Sequence, residues 1–369
     1  MKQVYPFIGS EIPMWVQLLF WMLYMVIFVY AFRKTVLPWQ WKKRFKDVSW
    51  LFVIFFALFA VFYCVNDDYF QYRDWIYGRD FDFWGKEKFY VYTILVCRFL
   101  PFDYPYEVFR FIVWGGSILI AFCTFRMYRE LLLPGMTLMF HFVCYSNTFC
   151  YARASLGMAV YFFGVALILI PEKTVLKLLG IVIALSSAAF HHEMLIGIAL
   201  LPALLFPFEK KSTLLLSVLL LIAAIIAISF VSTNLKMFDA LFGDDDLSSK
   251  IDEFSEGEQG AFRLSTLVKY LNYFYPLYLI TICFWKKKVS PSIAGMYRIA
   301  FAIILVSVAF MFVFGLRSVF SYRVLYISMI PLALLIGYCY SNGYIKNRQL
   351  VLMLMLSLLS NSIRIINAG

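Results

Sequence analysis

Charge is scarce in this chain. Asp, Glu, Lys and Arg make up 15% of its 369 residues, against about 25% in a typical soluble domain. Histidine is scarcer still, at three residues. The seven cysteines (Cys64, Cys97, Cys123, Cys144, Cys150, Cys283 and Cys339) contain no C-x-x-C pair, and nearly all lie inside apolar segments. That pattern argues against a zinc site and against a disulfide framework. Also missing are a P-loop, a G-x-G-x-x-G dinucleotide fingerprint, a G-x-S-x-G elbow and an H-E-x-x-H pair. Without an ATP motif, the chain does not read as a self-powered pump. The formal charge is +11, but the cations fall in short clusters between apolar runs rather than along one polar face. They are a topology signal, and no nucleic-acid partner is expected.

What the chain has in excess is apolar surface. Hydrophobic residues reach 63%, with 40 Phe and 25 Tyr, a profile suited to lipid-facing helices with interfacial aromatic belts. A spanning helix needs about 20 mostly apolar residues. On that rule, spans lie near 14–32, 49–65, 107–125, 131–148, 152–170, 176–190, 194–208, 213–231, 267–285, 293–314, 322–340 and 349–364. The shorter stretch 89–100 suits a re-entrant or interfacial helix. The expected fold is all-α: one integral membrane domain over 1–369, with about 10–12 transmembrane helices. No cleavable leader is expected, because Met14–Phe32 is long enough to be a true span.

The basic clusters set the orientation. Arg33, Lys34, Lys42, Lys43, Arg44 and Lys46 lie between the first two spans. Alternate connections then carry Arg126 and Arg129, Lys173 and Lys177, Lys210 and Lys211, Lys286–Lys288, and Lys346 and Arg348. Threading the spans in turn puts every cluster on one side, which the charge rule makes cytoplasmic. The external side then receives two longer loops. Residues 66–105, rich in Trp, Tyr and Phe, are expected to be ordered and to include the short amphipathic or re-entrant helix. Residues 232–266, with Asp244–Asp246, Asp252, Glu253, Glu256 and Glu258, are expected to be mobile.

Polar residues at the outer ends of spans are candidate functional groups, because they are costly there. Arg153 opens a span among small residues, Ala152, Ala154, Ser155 and Gly157. It suits either anion binding or simple interfacial snorkelling. His191 and His192 precede Glu193 at the end of another span. Either histidine can act as a base near neutral pH. If helical, the two project about 100° apart and cannot easily share one metal ion. Arg317 and Arg323 flank the entrance of the penultimate span, where they can grip phosphate oxygens or anchor the helix alongside Tyr322 and Tyr326. Asp67 and Asp68 supply carboxylates on the same side. Together these groups suit an anionic, lipid-linked substrate: cations for phosphate, and a base for a sugar hydroxyl. No metal ligand set and no cofactor is expected.

These segments resemble a known family. The run from Tyr151 to Val160 looks like the Arg-led, small-residue helix of EpsG-type polysaccharide polymerases, with Ala154 where Gln is common. Ser186–Ile196 is similar to their small-residue, Phe-His, aliphatic segment, with the histidine doubled and His191 matching Phe-His. Asn66–Tyr72 resembles their acidic-Tyr stretch, and Arg317–Tyr326 their late Arg/Tyr helix start. The resemblance implies a metal-independent, Wzy-like glycosyltransferase of the GT-C-like membrane class. Such an enzyme joins undecaprenyl-pyrophosphate-linked repeats outside the bacterial inner membrane, for capsule, exopolysaccharide or O-antigen. A chain-length regulator and a flippase are the implied partners. The resemblance also implies catalytic roles among His191, His192, Asp67 and Asp68, and pyrophosphate binding by Arg153, Arg317 and Arg323. A membrane acyltransferase or a lipid-linked-oligosaccharide flippase is the alternative.

Overall fold

The computed structural model describes residues 75–77, 88–101, 105–128, 152–171, 173–233, 264–315 and 319–367. The expected spans at 14–32, 49–65 and 131–148, and nearly all of the loop 232–266, lie outside the described residues. Among the described residues every regular element is helical. The protein is an all-α membrane protein. Among the described residues, three helices are long and apolar enough to cross a membrane, over Val108–Met127, Lys211–Phe230 and Pro291–Phe314, and shorter apolar helices accompany them.

Helix α1 covers Lys88–Phe99. Helix α2 runs from Pro105–Arg110 through a π-helical turn, Phe111–Gly115, into Gly116–Met127. Next come α3, Ala152–Ile168, and α4, Thr174–Ser186, which ends in a 3-10 turn at Ser187–Ala189. Helix α5 is only Met194–Ala199, followed by a 3-10 turn at Leu201–Leu205. The remaining helices are α6, Leu214–Thr233; α7, Leu264–Lys286; α8, Pro291–Phe314; α9, Val319–Ile327; α10, Met329–Ser341; and α11, Asn347–Asn367.

Two apolar stretches that read as single spans are broken, and proline explains both. Pro331 lacks an N–H for the carbonyl of Ile327, four residues back, and its ring crowds that carbonyl. The helix therefore stops at Ile327 and restarts at Met329, and the Ser328 hydroxyl donates to the Leu325 carbonyl at 2.7 Å. In the same way, Pro202 stands against the carbonyl of Ile198, and α5 yields to a 3-10 turn. The first break ends α9 one turn beyond Arg323.

Helix α3 is the centre of the bundle, packing against α2, α4, α5, α8 and α10. Tyr161, Phe162 and Val165 on α3 are fully buried, as are Ile299, Ala300 and Ile303 on α8 and Leu335 and Ile336 on α10. The α3–α4 crossing depends on glycine. A Cβ on Gly164 would lie 2.5 Å from the Ala184 nitrogen and 2.6 Å from the Gly180 carbonyl oxygen. Close backbone approach at small residues is how helices associate in lipid, where no hydrophobic force drives them together.

Several basic connections meet at one end of the bundle. The Ser292 hydroxyl, just past Lys286–Lys288, donates to the Leu169 carbonyl at 3.1 Å, beside Lys173. Arg298 grips Glu209, next to Lys210, through Nε at 2.9 Å and Nη2 at 2.5 Å, and its Nη1 donates to the Leu204 carbonyl at 2.6 Å. The Cys283 thiol reaches the Tyr344 carbonyl at 3.6 Å, and the Lys287 ammonium sits 5.9 Å over the Tyr344 ring, near Lys346. Burial pushes the Glu209 carboxyl up, but the Arg298 hydrogen bonds, its own backbone and the nearby cations bring it below its ordinary value. Four basic clusters, separate in sequence, thus share one end.

Candidate functional site

At the opposite end of α3 the chain gathers polar groups. Gly157 lies twelve residues before Leu169, about 18 Å along the helix at 1.5 Å per residue. A Cβ there would touch Met194 Cγ at 3.0 Å and His191 Cβ at 3.3 Å. The absent side chain is what lets the His191 turn rest on α3. One turn further in, the Tyr161 hydroxyl donates to the Gly197 carbonyl at 2.5 Å and fixes α5 against the same helix.

His191 and His192 do not lie on a helix, so their expected 100° separation does not apply. They occupy a turn between Ser187–Ala189 and α5. The His191 N–H donates to the Ser187 carbonyl at 3.2 Å, and the His191, His192 and Glu193 carbonyls accept from Met194, Leu195 and Ile196. The turn separates the two rings. His191 is largely buried, with 13% of its side chain exposed, whereas His192 is exposed.

Glu193 organises this end. Its Oε2 lies 3.1 Å from His191 Nε2, and its Oε1 accepts from Arg323 Nη1 at 3.0 Å. The carboxylate is 18% exposed. Burial pushes its pKa up, but the charge and hydrogen bond of His191, then those of Arg323, outweigh burial and hold it below its ordinary value. A carboxylate can only accept hydrogen bonds, so Nε2 of His191 carries the proton in this contact. A neutral ring then has its basic lone pair on Nδ1. The arrangement has the parts of a carboxylate-oriented imidazole, in which the acid fixes the tautomer and stabilises the imidazolium formed on proton uptake.

Sequence reasoning placed Glu193 in the motif and gave it no role. The available signal was its isolation, because it is the only acidic residue between Glu172 and Glu209. The Arg323 pairing, across 130 residues of sequence, had no such signal. Arg153 is the second residue of α3, one turn before Gly157 and on the same helical face by register; its side chain lies outside what is described. Asp67, Asp68 and Arg317 also lie outside the described residues. Among the described residues no three His, Cys, Asp or Glu side chains converge on a point that could hold a metal ion.

A second aromatic element borders the turn. The ring of Phe190 lies 4.2 Å from that of Phe89 on α1. Tyr90 meets Phe109 of α2 edge-on at 6.3 Å, and the buried Arg110 guanidinium lies 5.7 Å from the Tyr106 ring and 5.6 Å from that of Trp114. Through these contacts α1 and the first turns of α2 stand beside His191.

The EpsG family model matches residues 48–367, a range that takes in α3, the His191 turn and α9. The chain belongs to the EpsG family. Membership makes this a polysaccharide polymerase-like membrane protein. No curated protein and no solved structure matches the chain.

Proposed function

We propose that this EpsG-family protein polymerises undecaprenyl-pyrophosphate-linked oligosaccharide repeats on the external, periplasmic face of the bacterial inner membrane. The product is a capsule, exopolysaccharide or O-antigen chain, and the fold is of the GT-C-like class. One observation carries the reading: His191, Glu193 and Arg323 meet at the end of α3 opposite the shared basic end. The charge rule makes the basic end cytoplasmic, so this cluster faces outward.

In the proposed reaction an acceptor hydroxyl attacks the anomeric carbon of the donor glycan. A new C–O bond forms there, and the bond from that carbon to the pyrophosphate oxygen breaks. Undecaprenyl pyrophosphate leaves with the bonding electron pair. His191 takes the hydroxyl proton at Nδ1, while Glu193 remains ionised and steadies the ring. Asp67 or Asp68 is the alternative base. Arg153 and Arg317 neutralise the charge that develops on the pyrophosphate. Arg323, assigned to pyrophosphate from sequence, commits Nη1 to Glu193, and its first role is to hold that carboxylate. Its guanidinium carries five N–H donors, so contact with the substrate stays compatible with that role. The leaving group is already good, so electrostatic stabilisation carries much of the barrier. The reaction is proposed to be metal-independent, with a flippase and a chain-length regulator as partners.

A deletion strain tests the class. Loss of long polymer with single repeats still displayed supports a polymerase. Normal length with missing acyl groups would instead indicate an acyltransferase, and repeats trapped inside a flippase.

A further inference from the structure

Helix α1 is apolar on both sides. Tyr90, Ile94 and Cys97 are buried against the bundle. Tyr92, Val96 and Phe99, at spacings of four and three, form a second stripe that is 64%, 53% and 85% exposed. A helix that is hydrophobic all round belongs in a protein core or a membrane, not in water. At twelve residues α1 is about 18 Å long, too short for a hydrocarbon layer of about 30 Å. Its charged residues stand near its ends: Lys88 begins it, and Arg98 donates to the carbonyls of Trp75 and Ile76. Outward aromatics on a short helix of this kind are the signature of an element lying in the membrane interface. The contact of Phe89 with Phe190 joins that element to the residue preceding His191.

We infer that the outer stripe of α1, Tyr92, Val96 and Phe99, is a binding surface for the isoprenoid tail of the lipid-linked substrate. The inference rests on the polymerase reading, which puts the pyrophosphate beside His191. From Phe89 the helix extends about 15 Å to Phe99. A tail leaving the site along α1 therefore meets apolar side chains at lipid depth for several isoprene units, and the helix guides the donor sideways out of the bilayer.

Photocrosslinking tests this surface. The photoreactive residue p-benzoylphenylalanine is placed at Phe99 or, as a control, at Leu219, which is 55% exposed on α6, in the second turn after the basic Lys210–Lys211 connection. The full-length protein is reconstituted in phosphatidylglycerol–phosphatidylethanolamine nanodiscs with a few mole per cent undecaprenyl phosphate. Adducts are then identified by mass spectrometry. The expected result is enrichment of undecaprenyl phosphate over phospholipid adducts by at least tenfold at Phe99 relative to Leu219. Equal ratios at the two positions would make α1 an ordinary lipid-facing helix and overturn the inference. Adducts to protein, or none to lipid, would overturn it as well. A protein that polymerises without enrichment loses only the tail surface. Enrichment in a protein with no polymerising activity removes the reaction instead.

Discussion

Replacing Glu193 by Gln keeps the shape of the side chain and exchanges one carboxylate oxygen for an NH₂ group. In the wild type, Oε1 accepts from Arg323 at 3.0 Å and Oε2 faces His191 Nε2 at 3.1 Å. The single remaining oxygen of Gln can serve Arg323, which leaves its NH₂ facing Nε2. Two donors cannot share that contact, so the imidazole must move its proton to Nδ1, the nitrogen that the mechanism needs as the base. Loss of the carboxylate that fixes a catalytic tautomer costs up to about 10⁴ in rate in serine proteases. Because the pyrophosphate is a good leaving group, a loss of ~10²–10³ is expected here, equivalent to ~2.7–4 kcal/mol at ~1.36 kcal/mol per tenfold. The fold should survive, since charge-assisted hydrogen bonds contribute about 1.5–3 kcal/mol each and Gln keeps one acceptor. The assay is chain extension from a purified lipid-linked repeat, read as a product ladder, with thermal unfolding of the same sample as the folding control. A rate for Glu193→Gln within about threefold of wild type would refute the oriented-imidazole reasoning and make Glu193 an anchor for Arg323. A second readout comes from acid. The Glu193 carboxyl is held below its ordinary value of 4.5, so the unfolded chain binds its proton first as pH falls. Its contribution is complete above about 4.5 and disappears as pH drops through the lower folded value. The stability difference between wild type and Glu193→Gln should therefore hold constant from pH 7 down to about 4.5 and shrink only below it.

Arg153→Ala should abolish polymerisation in membranes while leaving insertion intact, and Arg153→Lys should restore only part of it, because an ammonium keeps the charge and loses the planar fork. Near-wild-type polymer from Arg153→Lys would make Arg153 a snorkelling anchor instead. Gly164→Val puts side-chain atoms where the Ala184 nitrogen and the Gly180 carbonyl already lie within 2.6 Å. It should lower stability by about 1–3 kcal/mol, measured as a drop in thermal midpoint in detergent; an unchanged midpoint would mean that α3 and α4 do not cross there. Reporters fused after Lys43 should read cytoplasmic, and those at Asp80 or Asp245 external; reversed signals would move the His191 end to the wrong face. Chain extension should continue in chelator, and loss that a divalent ion restores would point to a metal site at Asp67 or Asp68.

Helices were the most legible feature in the sequence, because length and hydropathy are local properties. The stretch read at 293–314 is α8, Pro291–Phe314, and that at 349–364 lies within α11, Asn347–Asn367. The breaks near Pro202 and Pro331 were equally local, and a strict hydropathy window passes over them because proline interrupts a helix without making it polar. The Phe-His segment and the Arg-led start of α3 also stood out, as polar residues bordering apolar runs.

The sequence by itself determined that this chain is a helical membrane protein and roughly where most of the described helices run, and its charge pattern assigned the basic connections to one side. Each of these follows from the cost of putting charge or unpaired backbone into lipid. The Phe-His pattern favoured His191 over its neighbour, but only the tertiary structure gave the two rings different surroundings. A turn, not a helix, buries one ring and exposes the other, and the missing side chain of Gly157 lets the buried one rest on α3. Only the tertiary structure gave Glu193 its role, because its value lies in a guanidinium 130 residues away. Hydropathy is summed along the chain and can be read there. An ion pair depends on the distance between two side chains, which exists only once the helices have packed.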